Sequence, residues 1–289
     1  MADLALVVNP AIRRGSIAAQ SVRIRLGRRA SIVVIEEPSV DATRDAVGAA
    51  IASGAGSVVA IGGDGLVHAL LPALARTDVP LGIVPAGTGN DLAAALGVPQ
   101  DPMRAADVIA AGSTRLIDLG RSVDRWWASV LCAGFDSAIN ERANGLRWPR
   151  GRWRYDAAVL AELAQLRPRD FVVDVDGVRI SGPTTLVAIG NTSQYGGGYR
   201  MCPRAQPDDG EFDVTIVGPV GRLDLARMLS AVKTGTHLGH PAVRTLRGRR
   251  VRIDATGTVA YADGERIGDL PIPAVCEAGS LRVFAPERE

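Results

Sequence analysis

Lysine is almost missing from this chain: among 33 basic residues, only Lys233 is a lysine. Against 31 acidic residues the formal net charge is +2, and no clustered basic face is evident. That near balance excludes nucleic-acid binding driven by charge. Arginine dominates alongside abundant Ala, Gly and Val, which reads as codon usage rather than selection for guanidinium chemistry. Cysteine is scarce as well. Cys132, Cys202 and Cys276 are odd in number, far apart and outside any CxxC pattern, which argues against a disulfide framework or a zinc site. A reducing cytoplasm is the expected setting. The start, Met1-Ala2-Asp3-Leu4, has no basic segment followed by an apolar stretch, so no secretory signal is expected. Residues 46–63 carry no charge over 18 positions, approaching a membrane span in length alone. Gly54-Ala55-Gly56 breaks that stretch into helix, turn and strand, so no transmembrane helix is expected. No internal repeat or low-complexity tract stands out.

What is present is core-forming. Hydrophobic residues make up 47% of 289 positions against 22% charged, the balance of a globular chain. That length favours two domains. Leu4–Val8, Val58–Ile61 and Leu81–Val84 are short apolar runs that each stop at a turn cluster and read as buried parallel strands, and Ile32–Ile35 is a further apolar run. Ile17–Arg25, Ala42–Ala52 and Leu66–Leu74 between them are helix-compatible. This alternation predicts an open α/β sheet, whose ligands sit beyond the carboxyl ends of the strands. After about Gly120 the rhythm changes. Phe171–Val175, Thr184–Ile189, Phe212–Val217 and Val251–Ile253 read as strands, interrupted by helices over Tyr155–Leu166 and Leu223–Thr234. The expected division is 1–120 as the α/β domain and 121–289 as a β-rich domain, with the extreme carboxyl terminus open to packing back on the first.

Two loops carry the chemistry. Gly62-Gly63-Asp64-Gly65 follows a strand and opens a helix, so its amides can approach a phosphate while the helix dipole favours negative charge. Asp64 cannot attract phosphate and must organise a magnesium ion, an arginine or a neighbouring donor. Pro85-Ala86-Gly87-Thr88-Gly89-Asn90-Asp91 has the same build. Thr88 and Asn90 offer donors, and Asp91 is expected to cap a helix starting at Leu92. One such turn is explained by sterics alone; two after consecutive strands point to phosphate binding.

In order and spacing, these loops and further segments resemble the diacylglycerol-kinase catalytic family, which includes sphingoid-base kinases and is distantly similar to NAD kinases. The further segments are Val8-Asn9-Pro10, Leu96-Gly97, Ile117-Asp118-Leu119-Gly120, the stretch from Gly151 to Leu163, Gly190-Asn191, Gly196-Gly197-Gly198, Pro207-Asp208-Asp209-Gly210 and Asp263-Gly264-Glu265. The resemblance implies an amino-terminal nucleotide domain, a carboxyl-terminal β-sandwich-like domain and an active site in the cleft between them. It implies ATP and Mg2+, with a lipid substrate met at the membrane surface by a cytoplasmic, transiently membrane-associated enzyme. Asn9, Pro10, Gly62, Gly63, Asp64, Gly65, Gly87, Thr88, Gly89, Asn90 and Asp91 are the matching nucleotide positions. Asp263 and Glu265 hold the family's base, and Asp64 is counted with them as catalytic. Asp209, with the carbonyls of Gln206 and Glu211, matches a structural magnesium site, although the residues alone fit an unmetallated turn equally well.

This chain departs from the pattern in places. Ala11-Ile12-Arg13-Arg14-Gly15 stands where Ser-Gly and a lysine are common, leaving Arg13 or Arg14 for the cationic role. The threonine often found before the GGDG strand is replaced around Glu36 or Glu37. The expected reaction is γ-phosphoryl transfer to a lipid hydroxyl, diacylglycerol giving phosphatidic acid, with a sphingoid base or another membrane alcohol as alternative acceptors. A soluble NAD-kinase-type enzyme and a non-catalytic nucleotide or lipid sensor are the rival functions. Trp148, Trp153 and Tyr155 among arginines suit an anionic headgroup region, or pack as a solvated loop. His237 and His240 lack further ligands nearby and read as packing or surface residues. His68 reads as a cover for the sheet, and Arg244–Arg252 as a solvated strand face. Oligomeric state stays open, a homodimer being one option.

Overall fold

The computed structural model describes residues 3–9, 17–28, 30–146, 148 and 152–287. Pro10, Arg13 and Arg14 therefore lie outside the described residues, as does the 149–151 part of the arginine–tryptophan segment. The chain divides into two compact units, Met1–Leu119 with Glu277–Glu289, and Gly120–Cys276.

The first unit is an α/β sheet. Strands β1 (Asp3–Val8), β2 (Ile32–Ile35), β3 (Ala55–Gly62) and β4 (Leu81–Pro85) run parallel in the order β2-β1-β3-β4. Parallel neighbours need crossovers, supplied by α1 (Ile17–Gly27), α2 (Val40–Ala52) and α3 (Asp64–Leu74). Val283, near the end of the strand Ile272–Phe284, pairs in parallel with Leu81. β3 begins three residues earlier than its apolar run, because Ala55 and Ser57 pair with Asp3 and Leu4. α2 begins where the Ser39 hydroxyl accepts the Ala42 N–H at 3.2 Å. The core joins Leu4, Leu6, Val59, Ile61 and Val84 to Val22, Leu26 and Ile109. Two further helices follow β4: α4 (Asp91–Ala95) and α5 (Pro102–Ala111). Asp101 caps α5 through the Met103 and Arg104 amides, and Gly112, at φ 83°, ends it.

The second unit packs two antiparallel sheets face to face. One has six strands in the order Val243–Gly248, Phe212–Val217, Leu186–Gly190, Val130–Gly134, Val259–Ala262, Glu265–Asp269. The other pairs Val178–Thr184, Arg169–Val175, Arg250–Asp254 and the first residues of Ile272–Phe284. Their shared core includes Leu131, Phe171, Val187, Ile189, Val251 and Ile253. At its centre Trp127 stacks on Phe212 with ring centroids 5.0 Å apart. Gly120 is required there, since a Cβ would lie 2.0 Å from the Trp127 ring. Leu186 and Ala188 alternate to the opposite face and pack with helices Phe135–Gly145, Arg152–Ala164 and Arg222–Thr234.

Two sequence expectations need correction. Thr184–Ile189 is not one strand: Val178–Thr184 ends and Leu186–Gly190 begins after Thr185. The reason is a change of partner, from Arg169–Val175 to Phe212–Val217, at a point where Thr185 bonds the Val217 carbonyl at 2.7 Å. Phe135–Gly145, a stretch without a helix signal in the sequence pattern, is a helix. It is polar in composition and is held by burial of Phe135, Ile139 and Ala143 against the sheet.

Candidate active site

In the first unit, β1, β3 and β4 end side by side because their register is parallel: Val8 is level with Ile61, and Gly62 with Pro85. The Asn9 N–H extends this by bonding the Ile61 carbonyl at 3.2 Å, and the Ala86 N–H bonds the Gly62 carbonyl at 2.9 Å. The two glycine loops therefore lie in contact. A Cβ on Gly63 would stand 2.9 Å from the Gly87 Cα, and a Cβ on Gly87 2.5 Å from the Gly63 Cα. Neither position admits a side chain without moving backbone.

Asn90 braces the second loop instead of presenting its amide outward. It is buried in a left-handed conformation at φ 56°; its Oδ1 accepts the Gly87 N–H at 2.9 Å, and its Nδ2 donates to the Gly87 carbonyl at 3.0 Å. Nδ2 also donates to Gln100 Oε1 at 3.1 Å, a partner that nothing in the sequence pattern marked. Thr88, by contrast, is exposed and its hydroxyl has no partner among the described residues. The expected cap moves as well. α4 begins at Asp91, which is buried, and the Leu92 N–H donates to Asp64 Oδ1 at 3.3 Å. Asp64 thus bonds a neighbouring donor from the other loop, one of the three roles open to it. α3 starts at Asp64, and its Leu66 and Val67 amides bond the Gly63 carbonyl at 3.0 and 3.2 Å, so the positive end of the helix dipole lies beside the junction of the two loops. His68 sits half-buried on α3.

In the second unit, Asp263-Gly264-Glu265 forms the turn between strands Val259–Ala262 and Glu265–Asp269. Asp263, at φ 52°, accepts the Ala128 N–H on Oδ2 and the Ser129 N–H on Oδ1, both at 2.8 Å. The same two residues are held from their carbonyl side by Asn191. Its Nδ2 donates to the Ala128 carbonyl at 2.8 Å and its backbone N–H to the Ser129 carbonyl at 2.9 Å. The Gly190-Asn191 and Asp263-Gly264-Glu265 motifs, far apart in sequence, thus clamp one dipeptide. Glu265 is exposed, and its side chain makes no hydrogen bond or ion pair among the described residues. Beside this turn the Tyr261 hydroxyl donates to Glu141 Oε1 at 2.6 Å, and Arg266 Nε donates to the same oxygen at 3.2 Å. Burial and that carboxylate push the Tyr261 phenol up. Neither Glu141 nor Tyr261 carried a sequence signal.

Gly196, Gly197 and Gly198 all have positive φ, closing a tight turn in which Tyr195 and Tyr199 exchange backbone hydrogen bonds. The turn directs the buried Tyr195 hydroxyl onto Asp136 Oδ2. Burial pushes the Asp136 carboxyl up, against the pull of that hydrogen bond.

At Asp209, Oδ1 accepts the Glu211 N–H at 3.1 Å and Oδ2 accepts Arg247 Nη2 at 2.6 Å. Both oxygens of Asp209, which the resemblance matches to a structural magnesium together with the Gln206 and Glu211 carbonyls, thus already accept donors of the chain itself. His237 is buried, with Nε2 3.1 Å from the Met201 carbonyl, and burial lowers its pKa. His240 Nδ1 accepts the Ala242 N–H at 3.1 Å, so each imidazole bonds a backbone group, a distant one for His237 and a local one for His240.

Residues 3–122 match the diacylglycerol kinase catalytic domain, and residues 129–285 match the YegS C-terminal NAD kinase beta sandwich-like domain. A diacylglycerol kinase of Mycobacterium tuberculosis is 41% identical over 278 residues, covering 93% of this chain and 90% of the relative. One of Staphylococcus aureus is 29% identical, covering 79% and 74%. A crystal structure of a putative diacylglycerol kinase from Bacillus anthracis superposes with a TM-score of 0.79 at 19% identity, covering 98% and 95%. An NAD kinase from Archaeoglobus fulgidus in complex with ATP gives 0.57 at 14%, covering 98% and 94%; these last two likenesses speak for the fold alone. The chain belongs to the diacylglycerol kinase catalytic family, an α/β domain followed by a β-sandwich-like domain, and is a lipid kinase.

Proposed function

We propose that this enzyme transfers the γ-phosphoryl group of ATP, taken up with Mg2+, to the hydroxyl of diacylglycerol, giving phosphatidic acid. The observation that carries the ATP half is the contact of Gly63 with Gly87, which joins two amide-rich loops beyond the ends of parallel strands. Amides there suit the β- and γ-phosphates, and the α3 dipole adds to their pull. The acceptor half rests on the mycobacterial relative of that name.

In this reading the lipid hydroxyl oxygen attacks the γ-phosphorus in line, the bond from γ-phosphorus to its bridging oxygen breaks, and ADP leaves. The hydroxyl proton passes to a carboxylate, and Glu265 takes that role because its side chain is exposed and uncommitted. Asp263 acts as a positioning residue, its oxygens spent on Ala128 and Ser129. Magnesium neutralises charge on the transferring phosphates when bound. Asn9, Gly62, Gly63, Asp64, Gly65, Gly87, Thr88, Gly89 and Asp91 form the nucleotide surface, with Asn90 as its internal brace.

No helix of the described residues is long and apolar enough to cross a membrane. We assign the contact with the bilayer to Trp148 and Trp153, which are 81% and 73% exposed. The experiment that tests the function is a kinase assay with ATP over a panel of diacylglycerol, sphingoid bases, other membrane alcohols and NAD, with mass detection of products. Phosphatidic acid as the main product supports the reading. A phosphorylated sphingoid base or NADP in its place overturns the acceptor, and ATP binding without any product turns the reading to a sensor.

A further inference from the structure

Three carboxylates of the second unit converge on one guanidinium. Arg247 Nη2 lies 2.6 Å from Asp209 Oδ2 and 3.2 Å from Glu211 Oε2, and its Nε lies 3.5 Å from Asp213 Oδ2. Backbone register sets this meeting. Strands Phe212–Val217 and Val243–Gly248 are antiparallel with Asp213 directly opposite Arg247, so the two side chains share a face. Asp209 sits on the turn that enters the first of these strands, where its Oδ1 is taken by the Glu211 N–H at 3.1 Å.

Asp213 makes the counter-charge necessary. Its side chain is only 10% exposed, and its buried Oδ2 accepts no hydrogen bond, so the Arg247 ion pair, with Arg204 as a second and weaker positive charge, balances it. An enclosed carboxylate without a partner is strongly unfavourable. A magnesium ion would need near-octahedral oxygens at about 2.0–2.1 Å and would keep several waters. To reach Asp209 it would have to displace a cation tethered to the neighbouring strand, whose effective concentration there is high.

We infer that Arg247 is the resident cation of the Asp209 turn, closing with a side chain the site that the family resemblance assigns to structural magnesium. The second unit then folds without a divalent ion, and whatever magnesium the enzyme uses arrives with its nucleotide.

The test uses nucleotide-free full-length protein, so it does not depend on the acceptor or on turnover. Thermal unfolding is followed in EDTA and in millimolar MgCl2 at matched ionic strength, for wild type, Asp209→Asn, Arg247→Gln and the double variant. The expected result is a wild-type Tm that is the same in both buffers. Each single variant should lose a few degrees, and the double variant no more than the worse single one, as for partners in one interaction. A magnesium-dependent rise in wild-type Tm that Asp209→Asn abolishes would overturn the inference, as would additive losses in the double variant. If Arg247→Gln fails to fold, the comparison of wild type with Asp209→Asn decides by itself.

Discussion

Gly63 and Gly87 touch through their backbones: a Cβ on the second would lie 2.5 Å from the Cα of the first. One strand end is thereby locked to the next, and the two loops behave as one surface. Gly87→Ala should destabilise the first unit by roughly 1–3 kcal/mol, as overpacking against backbone does. It should also raise the Kd for ATP, measured by calorimetry on protein still folded at the assay temperature. Unaltered affinity would dissociate loop contact from nucleotide binding.

Asn90 should matter for a different reason. Its side chain closes Gly87 from both its N–H and its carbonyl. Asn90→Asp keeps the acceptor and removes the donor, so it separates bracing from mere size. A loss of about 1–3 kcal/mol in stability is expected from the buried groups left unpaired, with a higher KM for ATP. A variant with wild-type Tm and KM would show that the brace is dispensable.

The two acids of the Asp263-Gly264-Glu265 turn should part in their effects. Glu265→Gln should leave Tm and ATP affinity near wild type and cut kcat by about a hundred- to ten-thousandfold, the usual worth of a general base. Asp263→Ala strips the partner from the Ala128 and Ser129 amides, so it should lower Tm as well as activity. The reverse pattern, a stable but inactive Asp263→Ala and a near-normal Glu265→Gln, would transfer the base to Asp263.

His237 gives a pH dependence whose sign follows from burial. Its folded pKa lies below the ordinary 6.5 because enclosure disfavours the imidazolium. On acidification the unfolded chain therefore takes up the proton first, and stability falls as pH drops below about 6.5 toward the folded value. Above 6.5 the term is constant. Tm measured between about pH 7.5 and pH 5 should decline less steeply in His237→Gln than in wild type. Equal slopes would remove His237 from the acid limb.

Trp148 and Trp153 should bind anionic vesicles. Replacing both by Ala should reduce sedimentation with phosphatidylglycerol-containing liposomes while leaving Tm unchanged, since exposed side chains contribute little to folding. Binding at the wild-type level in the double variant would move the membrane contact elsewhere.

Local pattern was enough to read the parallel strands of the first unit. Apolar runs of strand length, each ended by glycine, proline or asparagine, determine where β1, β3 and β4 stop, because a buried parallel strand must be apolar throughout and its turn must tolerate unusual backbone. Clustered glycines after two such strands marked the two loops as candidate phosphate sites for the same reason. Partnership across the chain was not written locally. That Asn90 faces inward to Gln100, that Asp64 receives the Leu92 amide, that Asp263 and Asn191 grip one dipeptide and that Arg247 answers Asp213 all depend on strand register and on loops meeting in space. A carboxylate in sequence is a charge with two acceptors. Only folding, by deciding which N–H groups and cations come within reach, made Asp263 a brace, left Glu265 exposed and gave Asp209 an arginine.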